Sequence, residues 1–288
     1  MDRREACGIL GVEDGDKLRD VRRKYHRLMH VHHPDTLPVD SDISTAQRLN
    51  EAFEVIKREG LSSKIKASDW GIKENARAYC DRKLYMEDNL FGDEIIVDTG
   101  AYGKYYWEPD MESFRMLLKS LGEAVNEILD GQEKTDGLKA KLLHLLIQEF
   151  IDPYECIGII YPYEEDEGSL TKTFRIRCQI KTESPVKAGL PENIRIKAEG
   201  SRLYVFSKAG PVGRIMFEED RLYYLVTPFF LQNAATAELI TEKPENSKKS
   251  YIDACMILHV DPSKRKDMTE RINEEIRAIL KNRRSSEA

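Results

Sequence analysis

The sequence predicts an α+β fold, in which a small all-helical N-terminal domain precedes a larger antiparallel-sheet domain with packed helices. Before residue 60, apolar residues recur at the three- and four-residue steps of helices that bury one face. After residue 155, short segments alternate apolar and polar residues between tight turns, which favours antiparallel strands. We therefore divide the chain into a domain at 1–60, a linker at 61–68 and a second domain at 69–288.

Two amphipathic helices account for most of the first domain. The helix after Asp16 has one apolar face, formed by Leu18, Val21, Tyr25 and Leu28. The helix at 44–58 has another, formed by Ala46, Leu49, Ala52, Phe53 and Ile56. These faces pack together in a predicted helical hairpin, and a short helix at 4–10 closes its open side.

The opposite face of the first long helix is strongly basic. Its residues are Arg19, Arg22, Arg23, His26 and His30, extended by Lys17, Lys24 and Arg27. Asp20 is the only acidic residue inside the run, so pairing within the helix cannot neutralise the bases. We expect this face to bind an anionic partner.

The tripeptide His33-Pro34-Asp35 directly follows the basic helix. Proline disfavours helical geometry at the residue before it, so a polar loop begins here and leads to the second helix. That second helix contains Leu49-Asn50-Glu51-Ala52-Phe53-Glu54-Val55-Ile56.

In this order and spacing, the basic helix, the tripeptide and the second helix resemble the J-domain of the DnaJ family of co-chaperones. The resemblance covers residues 3–58, and Gly8-Ile9-Leu10-Gly11-Val12 also matches a turn of that family. The resemblance implies binding to a DnaK-type heat-shock chaperone and faster ATP hydrolysis by that partner. It implies that Asp35 pairs with an arginine of the partner and that the basic face meets an acidic patch. The chaperone-binding residues would be His33, Pro34, Asp35, Arg19, Arg22, Arg23, Tyr25, His26 and Arg27.

Some positions depart from the family pattern. His26 stands where the family usually has Lys or Arg, His32 replaces Tyr, and Thr36 replaces a frequent Lys. Because histidine is only partly charged at neutral pH, His26 predicts weaker docking at neutral pH than in mild acid. No CxxC pair and no Gly/Phe-rich linker are present, so the resemblance is to the third class, a J-domain attached to a domain of its own.

Two alternatives to the J-domain interpretation arise for the first domain. His26 and His30 have the i, i+4 spacing of metal ligands, but no acidic or cysteine ligand is placed nearby and the arginines would repel a cation. We therefore predict no metal and no cofactor. The second interpretation is a J-like hairpin retained only for structure, in which the chain is a scaffolding protein.

The second domain is predicted to begin with helices and to continue as a sheet. Predicted helices lie at 74–86, 110–129, 138–151 and 261–281. Predicted strands lie at 155–163, 170–181, 193–198, 202–207, 214–217 and 221–226.

This domain has no recognised catalytic motif, so we predict that the chain is not an enzyme. A deep pocket lined with His144, Asp152 or Glu155 would favour the opposite view. Aromatic residues in a glycine-containing segment are candidates for binding an unidentified client or partner protein: Tyr102, Tyr105, Tyr106 and Trp107. Alternatively, these aromatics hold the helices on the sheet, or a sheet edge binds an extended segment.

Composition limits the remaining classes. With 288 residues, 41% hydrophobic and 33% charged, the chain has the composition of a globular protein. Its net charge of −6 predicts no general nucleic-acid binding. No apolar segment suits a secretory signal or a membrane span, so we predict a cytoplasmic protein without a membrane partner.

Overall fold

A computed structural model describes residues 1–32, 43–61, 71–90, 93–129, 136–165, 169–182, 194–241 and 250–287. The chain forms two compact units, Met1–Phe150 and Ile151–Ala288. The predicted linker lies almost entirely outside the described residues, and the domain boundary drawn there stays a prediction.

The first unit begins with the three predicted helices: α1 (Arg3–Leu10), α2 (Leu18–His32) and α3 (Ile43–Leu61). The side chain of Asp2 caps α1 by accepting a hydrogen bond from the Glu5 amide at 2.8 Å. Gly11 ends α1 with a φ of 62°, a left-handed conformation that glycine adopts without strain. The helical prediction for this segment is confirmed.

The apolar faces of α2 and α3 form the hairpin core. The Tyr25 ring stacks on the Phe53 ring with centroids 4.4 Å apart, and the Tyr25 hydroxyl donates a 2.6 Å hydrogen bond to Asn50. The same core extends beyond the helices to apolar residues of the following chain, namely Ile72, Leu84, Met86 and Met111. The hairpin therefore does not bury its apolar surface by itself.

Replacing Phe53 with alanine should destabilise this core by about 3 kcal/mol, because it removes a buried ring and leaves a cavity. Urea unfolding followed by circular dichroism measures the change. Phe53→Leu, which keeps most of the volume, should cost less than half as much. Equal stability of the alanine variant and the parent chain would show that α2 and α3 are not held by this contact.

The predicted helix at 74–86 is wrong. The chain instead forms β1 (Arg82–Leu90), paired antiparallel with β2 (Asp93–Gly103). Alternate residues of β1 are buried on opposite faces: Leu84 and Met86 join the hairpin core, while Tyr85 hydrogen-bonds Glu123 of the next helix. Burial on both faces at period two requires a strand.

Two helices complete the first unit and confirm the predictions at 110–129 and 138–151. They are α4 (Phe114–Ile128), capped by Ser113, and α5 (Asp136–Phe150). The buried face of α4 includes Met116, Leu117, Leu121 and Val125.

The second unit contains an antiparallel sheet and three α-helices among its described residues. In chain order they are α6 (Pro153–Ile160), β3 (Tyr163–Glu165), β4 (Lys172–Thr182), β5 (Arg195–Glu199), β6 (Arg202–Ser207), β7 (Gly210–Met216), α7 (Arg221–Leu231), β8 (Ala235–Thr241), β9 (Tyr251–Val260) and α8 (Thr269–Glu287). The strand order is β5-β6-β7-β4-β9-β8, and β3 also pairs with β4. The α+β prediction is confirmed.

Two predicted strands of this unit are helices. Residues 155–163 fall mainly in α6, where Asp152 caps the helix and Pro153 occupies its first turn. Residues 221–226 begin α7, whose apolar side chains Leu222, Leu225, Val226 and Phe229 share a buried helical face. The predicted helix at 261–281 begins only at Thr269, and strands β8 and β9 were not predicted.

The sheet has one buried and one solvent-facing side. Inward residues of its central strands, among them Ile176, Ile180, Val205, Ile215, Met256 and Leu258, are completely buried. Helix α7 packs beside β5, β6 and β8, so the sheet bends around it. Side chains at the alternate positions of the strands point away from this core.

Candidate functional site

The candidate site divides into a described and an undescribed part. The tripeptide His33, Pro34 and Asp35, together with Thr36, lies outside the described residues. Helix α2, which carries the predicted docking residues, is described, although the side chain of Arg19 is not. The geometry of the docking face therefore comes from Arg22, Arg23, His26 and Arg27.

Tyr25 lies on the inner side of α2 and not on the docking face. Its ring contacts Phe53 and its hydroxyl contacts Asn50, both on α3. Burial and the nearby Glu54 carboxylate raise the pKa of Tyr25, so its hydroxyl keeps its proton for the hydrogen bond. Tyr25 thus positions α2 against α3.

The described basic side chains of α2 stand at the surface. Arg27 and His26 are exposed, and Arg22 and Arg23 are half-buried. The Lys24 ammonium donates a hydrogen bond to the Gly11 carbonyl, which ties α2 to the end of α1.

Two carboxylates of the same unit lie opposite this face. The Arg23 guanidinium is 3.8 Å from a Glu108 carboxylate oxygen and 3.6 Å from an Asp110 carboxylate oxygen. Both acidic side chains are only 12% exposed, so the contact shields them from solvent. Because these distances exceed the range of good hydrogen bonds, the pairs contribute little stability, about 0–1 kcal/mol each.

Titration of the groups at this contact follows from burial and charge. Burial raises the pKa of Asp110, and the neighbouring His26, Arg23 and Arg22 oppose that rise. Burial and the positive charge of Arg22 lower the pKa of His26, while Asp110 opposes that change. Near neutral pH, His26 therefore adds less positive charge to the face than a lysine or arginine would.

A buried ion pair holds the acidic segment in place. The Arg82 guanidinium donates two 2.8 Å hydrogen bonds to the Glu112 carboxylate, and both side chains are fully buried. Arg82 also donates to the Tyr105 carbonyl at 2.8 Å and to the Tyr106 carbonyl at 3.3 Å. This cluster fixes the backbone on both sides of Glu108 and Asp110, and so fixes the carboxylates that face Arg23.

The predicted aromatic cluster does not form one exposed surface. Tyr102 is 54% exposed, whereas Trp107 is 2% exposed and donates its indole N–H to the Glu112 carbonyl at 2.8 Å. Tyr105 packs against the hairpin core, and the Tyr106 amide donates to the Lys73 carbonyl. Trp107 and Tyr105 are thus held by contacts within the first unit, and Tyr102 has the exposure that client binding requires.

The residues proposed for an enzyme pocket have structural contacts. His144 Nε2 lies 2.7 Å from the Gln148 side-chain nitrogen. Asp152 caps α6 and accepts a 2.6 Å hydrogen bond from Arg265, and Glu155 is exposed. Within the described ranges, no cluster of three or more His, Cys, Asp or Glu side chains is arranged to hold a metal ion.

Further findings concern the whole described chain. The five cysteines, all within the described residues, are reduced thiols outside any disulfide, and burial raises the pKa of Cys80 and of Cys178 to about 12. Helices with the length and apolar character needed to cross a bilayer are absent from the part of the chain that the structure describes.

A region of the chain is similar to co-chaperone proteins named DjlA. The identity is 38% with DjlA of Photorhabdus laumondii, 33% with DjlA of Escherichia coli K12 and 35% with DjlA of Yersinia pseudotuberculosis, over 63 residues in each case. The match covers 19% of this chain and 23% of each relative, so the chain spans about a quarter of their length. No family model and no solved structure matches. The similarity supports a J-domain-like region of the co-chaperone type.

Proposed function

We propose that this chain is a J-domain co-chaperone that binds a DnaK-type heat-shock chaperone and stimulates its ATPase. The observation that carries the proposal is the basic face of α2 on a stacked helical hairpin that leads directly into His33-Pro34-Asp35. The local similarity to DjlA co-chaperones supports the same conclusion.

Docking would proceed through charge. Arg22, Arg23, Arg27 and, in acid, His26 attract an acidic patch of the partner and set the orientation of α2. His33, Pro34 and Asp35, which we call the trigger, then contact the nucleotide-binding domain. In a cytoplasmic setting, the remainder of the chain would recruit a client or partner protein, with Tyr102 as the exposed candidate contact.

One observation favours the second candidate, a scaffolding protein with a J-like hairpin. Arg23 already faces Glu108 and Asp110 of its own chain. A face formed only to hold these carboxylates would need no partner. The distances favour the co-chaperone, because ion pairs of 3.6 and 3.8 Å are weak enough for a partner's acidic patch to displace.

The test of the proposal is steady-state ATP turnover by a bacterial DnaK with and without the full chain, at low and moderate salt. Stimulation that falls as salt rises is the expected result, because screening weakens attraction between exposed charges. Stimulation that is independent of salt would show that the α2 face is not the contact.

Neutralising the two internal carboxylates distinguishes the two candidates. The double variant Glu108→Gln/Asp110→Asn should increase the apparent affinity of the chain for DnaK about two- to thirtyfold, because each of the two weak ion pairs that must be broken contributes about 0.2–1 kcal/mol. The concentration of chain that gives half-maximal ATPase stimulation measures the change.

A matched control is available in the second unit. Glu218 and Asp220 are exposed and have the same two-residue spacing, so Glu218→Gln/Asp220→Asn makes the same chemical change in the other unit. This control should leave the half-maximal concentration unchanged. If Glu108→Gln/Asp110→Asn lowers the stability of the fold and the variant does not stimulate the DnaK ATPase, the result would favour the scaffolding protein with a J-like hairpin.

A further inference from the structure

The solvent-facing side of the second unit's sheet has a charge opposite to that of the whole chain. The chain carries a net charge of −6. Among the described strands, the outward positions carry seven basic residues, Arg175, Arg177, Lys181, Arg195, Lys197, Arg202 and Arg214, and four acidic residues, Glu164, Glu199, Glu238 and Asp253. An acidic chain thus presents a basic sheet face.

Strand register aligns five of the outward residues. Lys197 of β5 pairs with Tyr204 of β6, and Tyr204 pairs with Arg214 of β7. Arg214 pairs with Lys181 of β4, and Lys181 pairs with Tyr251 of β9. We call Lys197, Tyr204, Arg214, Lys181 and Tyr251 the cross-strand row. Four steps between strands of about 4.8 Å carry this row across about 19 Å of the sheet.

The cations and rings of this surface are interleaved. The Lys181 ammonium lies 5.7 Å from the centre of the Tyr251 ring, and that tyrosine is 43% exposed. Beside the row, Arg195 pairs with Phe206, and the Lys197 ammonium lies 5.3 Å from the Phe206 ring centre. The acidic residues of the face are outside the row: Glu164 pairs with Arg175, and Asp253 accepts a hydrogen bond from Gln179.

We propose that the cross-strand row binds single-stranded nucleic acid. Its lysines and arginine would contact the phosphates, and Tyr251 and Tyr204 would stack on bases, which is how sheet surfaces bind single strands without reading sequence. Charge alone would suit any polyanion. The alternation of aromatic rings with cations selects a ligand that has flat bases as well as phosphates.

The experiment is fluorescence anisotropy of the full chain with labelled 20-mers of deoxythymidine and of uridine, over a range of salt. With about three phosphate contacts, one for each cation of the row, the logarithm of the affinity should fall with the logarithm of salt with a slope of about −2. Tyr251→Ala should weaken binding about tenfold, whereas Tyr251→Phe should retain it. Lys181→Glu/Arg214→Glu should weaken binding more than tenfold, because it reverses two charges.

The control is Lys83→Glu, which reverses an exposed charge on β1 of the first unit and should leave binding unchanged. Circular dichroism confirms that each variant is folded. Tighter binding of the uridine than the deoxythymidine oligomer would identify RNA as the ligand. The proposal is overturned if neither oligomer binds. It is also overturned if polyglutamate, a polyanion without bases, binds as tightly as the oligomers and Tyr251→Ala changes the affinity for neither kind of ligand. No chaperone is present in this assay, so its outcome is independent of the proposed function.

Discussion

Replacing Glu112 with alanine should lower the free energy of unfolding of the first unit by about 3–5 kcal/mol, because the Arg82 charge would remain buried without its partner. Both side chains are fully buried and share two 2.8 Å hydrogen bonds. Burial raises the pKa of Glu112, and the Arg82 guanidinium and a hydrogen bond from the Tyr85 backbone oppose that rise. Urea unfolding followed by tryptophan fluorescence measures the effect, since Trp107 donates its indole N–H to the Glu112 carbonyl.

The double variant Arg82→Met/Glu112→Leu provides the control. Because this variant removes both charges, it leaves no buried, unpaired Arg82 charge. It should therefore be more stable than Glu112→Ala. Recovery should be incomplete, because the Tyr105 and Tyr106 carbonyls lose the donors that Arg82 supplies. A double variant less stable than Glu112→Ala would show that Arg82 acts mainly through these carbonyls.

The same substitution links stability to the candidate site. Arg82 and Glu112 fix the segment that places Glu108 and Asp110 opposite Arg23. Loosening this segment in Glu112→Ala should release the basic face of α2. Any gain in docking must therefore be compared with the Glu108→Gln/Asp110→Asn variant, which removes the charges and keeps the buried pair.

The helical hairpin could be predicted from the sequence because its information is local. Leu18, Val21 and Tyr25 mark the buried stripe of α2 at helical spacing, and α3 has a similar stripe. The stacking of Tyr25 on Phe53 follows once the two stripes face each other. The resemblance to J-domains rests on the same local pattern.

The wrong elements are those in which local signals are ambiguous. The apolar run of α7 contains residues that also favour strands, and a short apolar run cannot be assigned by periodicity alone. For α6, the cap Asp152 followed by Pro153 is a helix-start signal that conflicts with the strand-like apolar run after it. For β1, the two-sided burial of Leu84 and Tyr85 depends on helices distant in sequence.

The surroundings of the site could not be predicted for a related reason. Nothing in the sequence near Glu108 and Asp110 indicates that they face Arg23, which lies more than eighty residues earlier. The residues of the cross-strand row come from five strands that are separated in the sequence. The net charge of the whole chain does not reveal such a local basic surface, and it therefore led to the expectation of no nucleic-acid binding. Only strand register brings these residues together.

Replacing His33 with glutamine should reduce ATPase stimulation about tenfold or more, which corresponds to a loss of about 1.4 kcal/mol or more in the productive contact. His33 belongs to the trigger, not to the docking face, so the variant should still bind through Arg22, Arg23 and Arg27. His32→Gln makes the same chemical change one residue earlier and should retain most of the stimulation. Loss in both variants would indicate a general disturbance of the end of α2.

The most direct test of the central claim is therefore ATP turnover by DnaK with the intact chain, with His33→Gln and with His32→Gln, at equal concentrations and low salt. The proposed function predicts stimulation by the intact chain and by His32→Gln, and its loss in His33→Gln. Equal stimulation by all three would contradict a J-domain mechanism. No stimulation by any of them, beside a control J-domain that works, would contradict the co-chaperone function with this partner and favour a hairpin retained for structure.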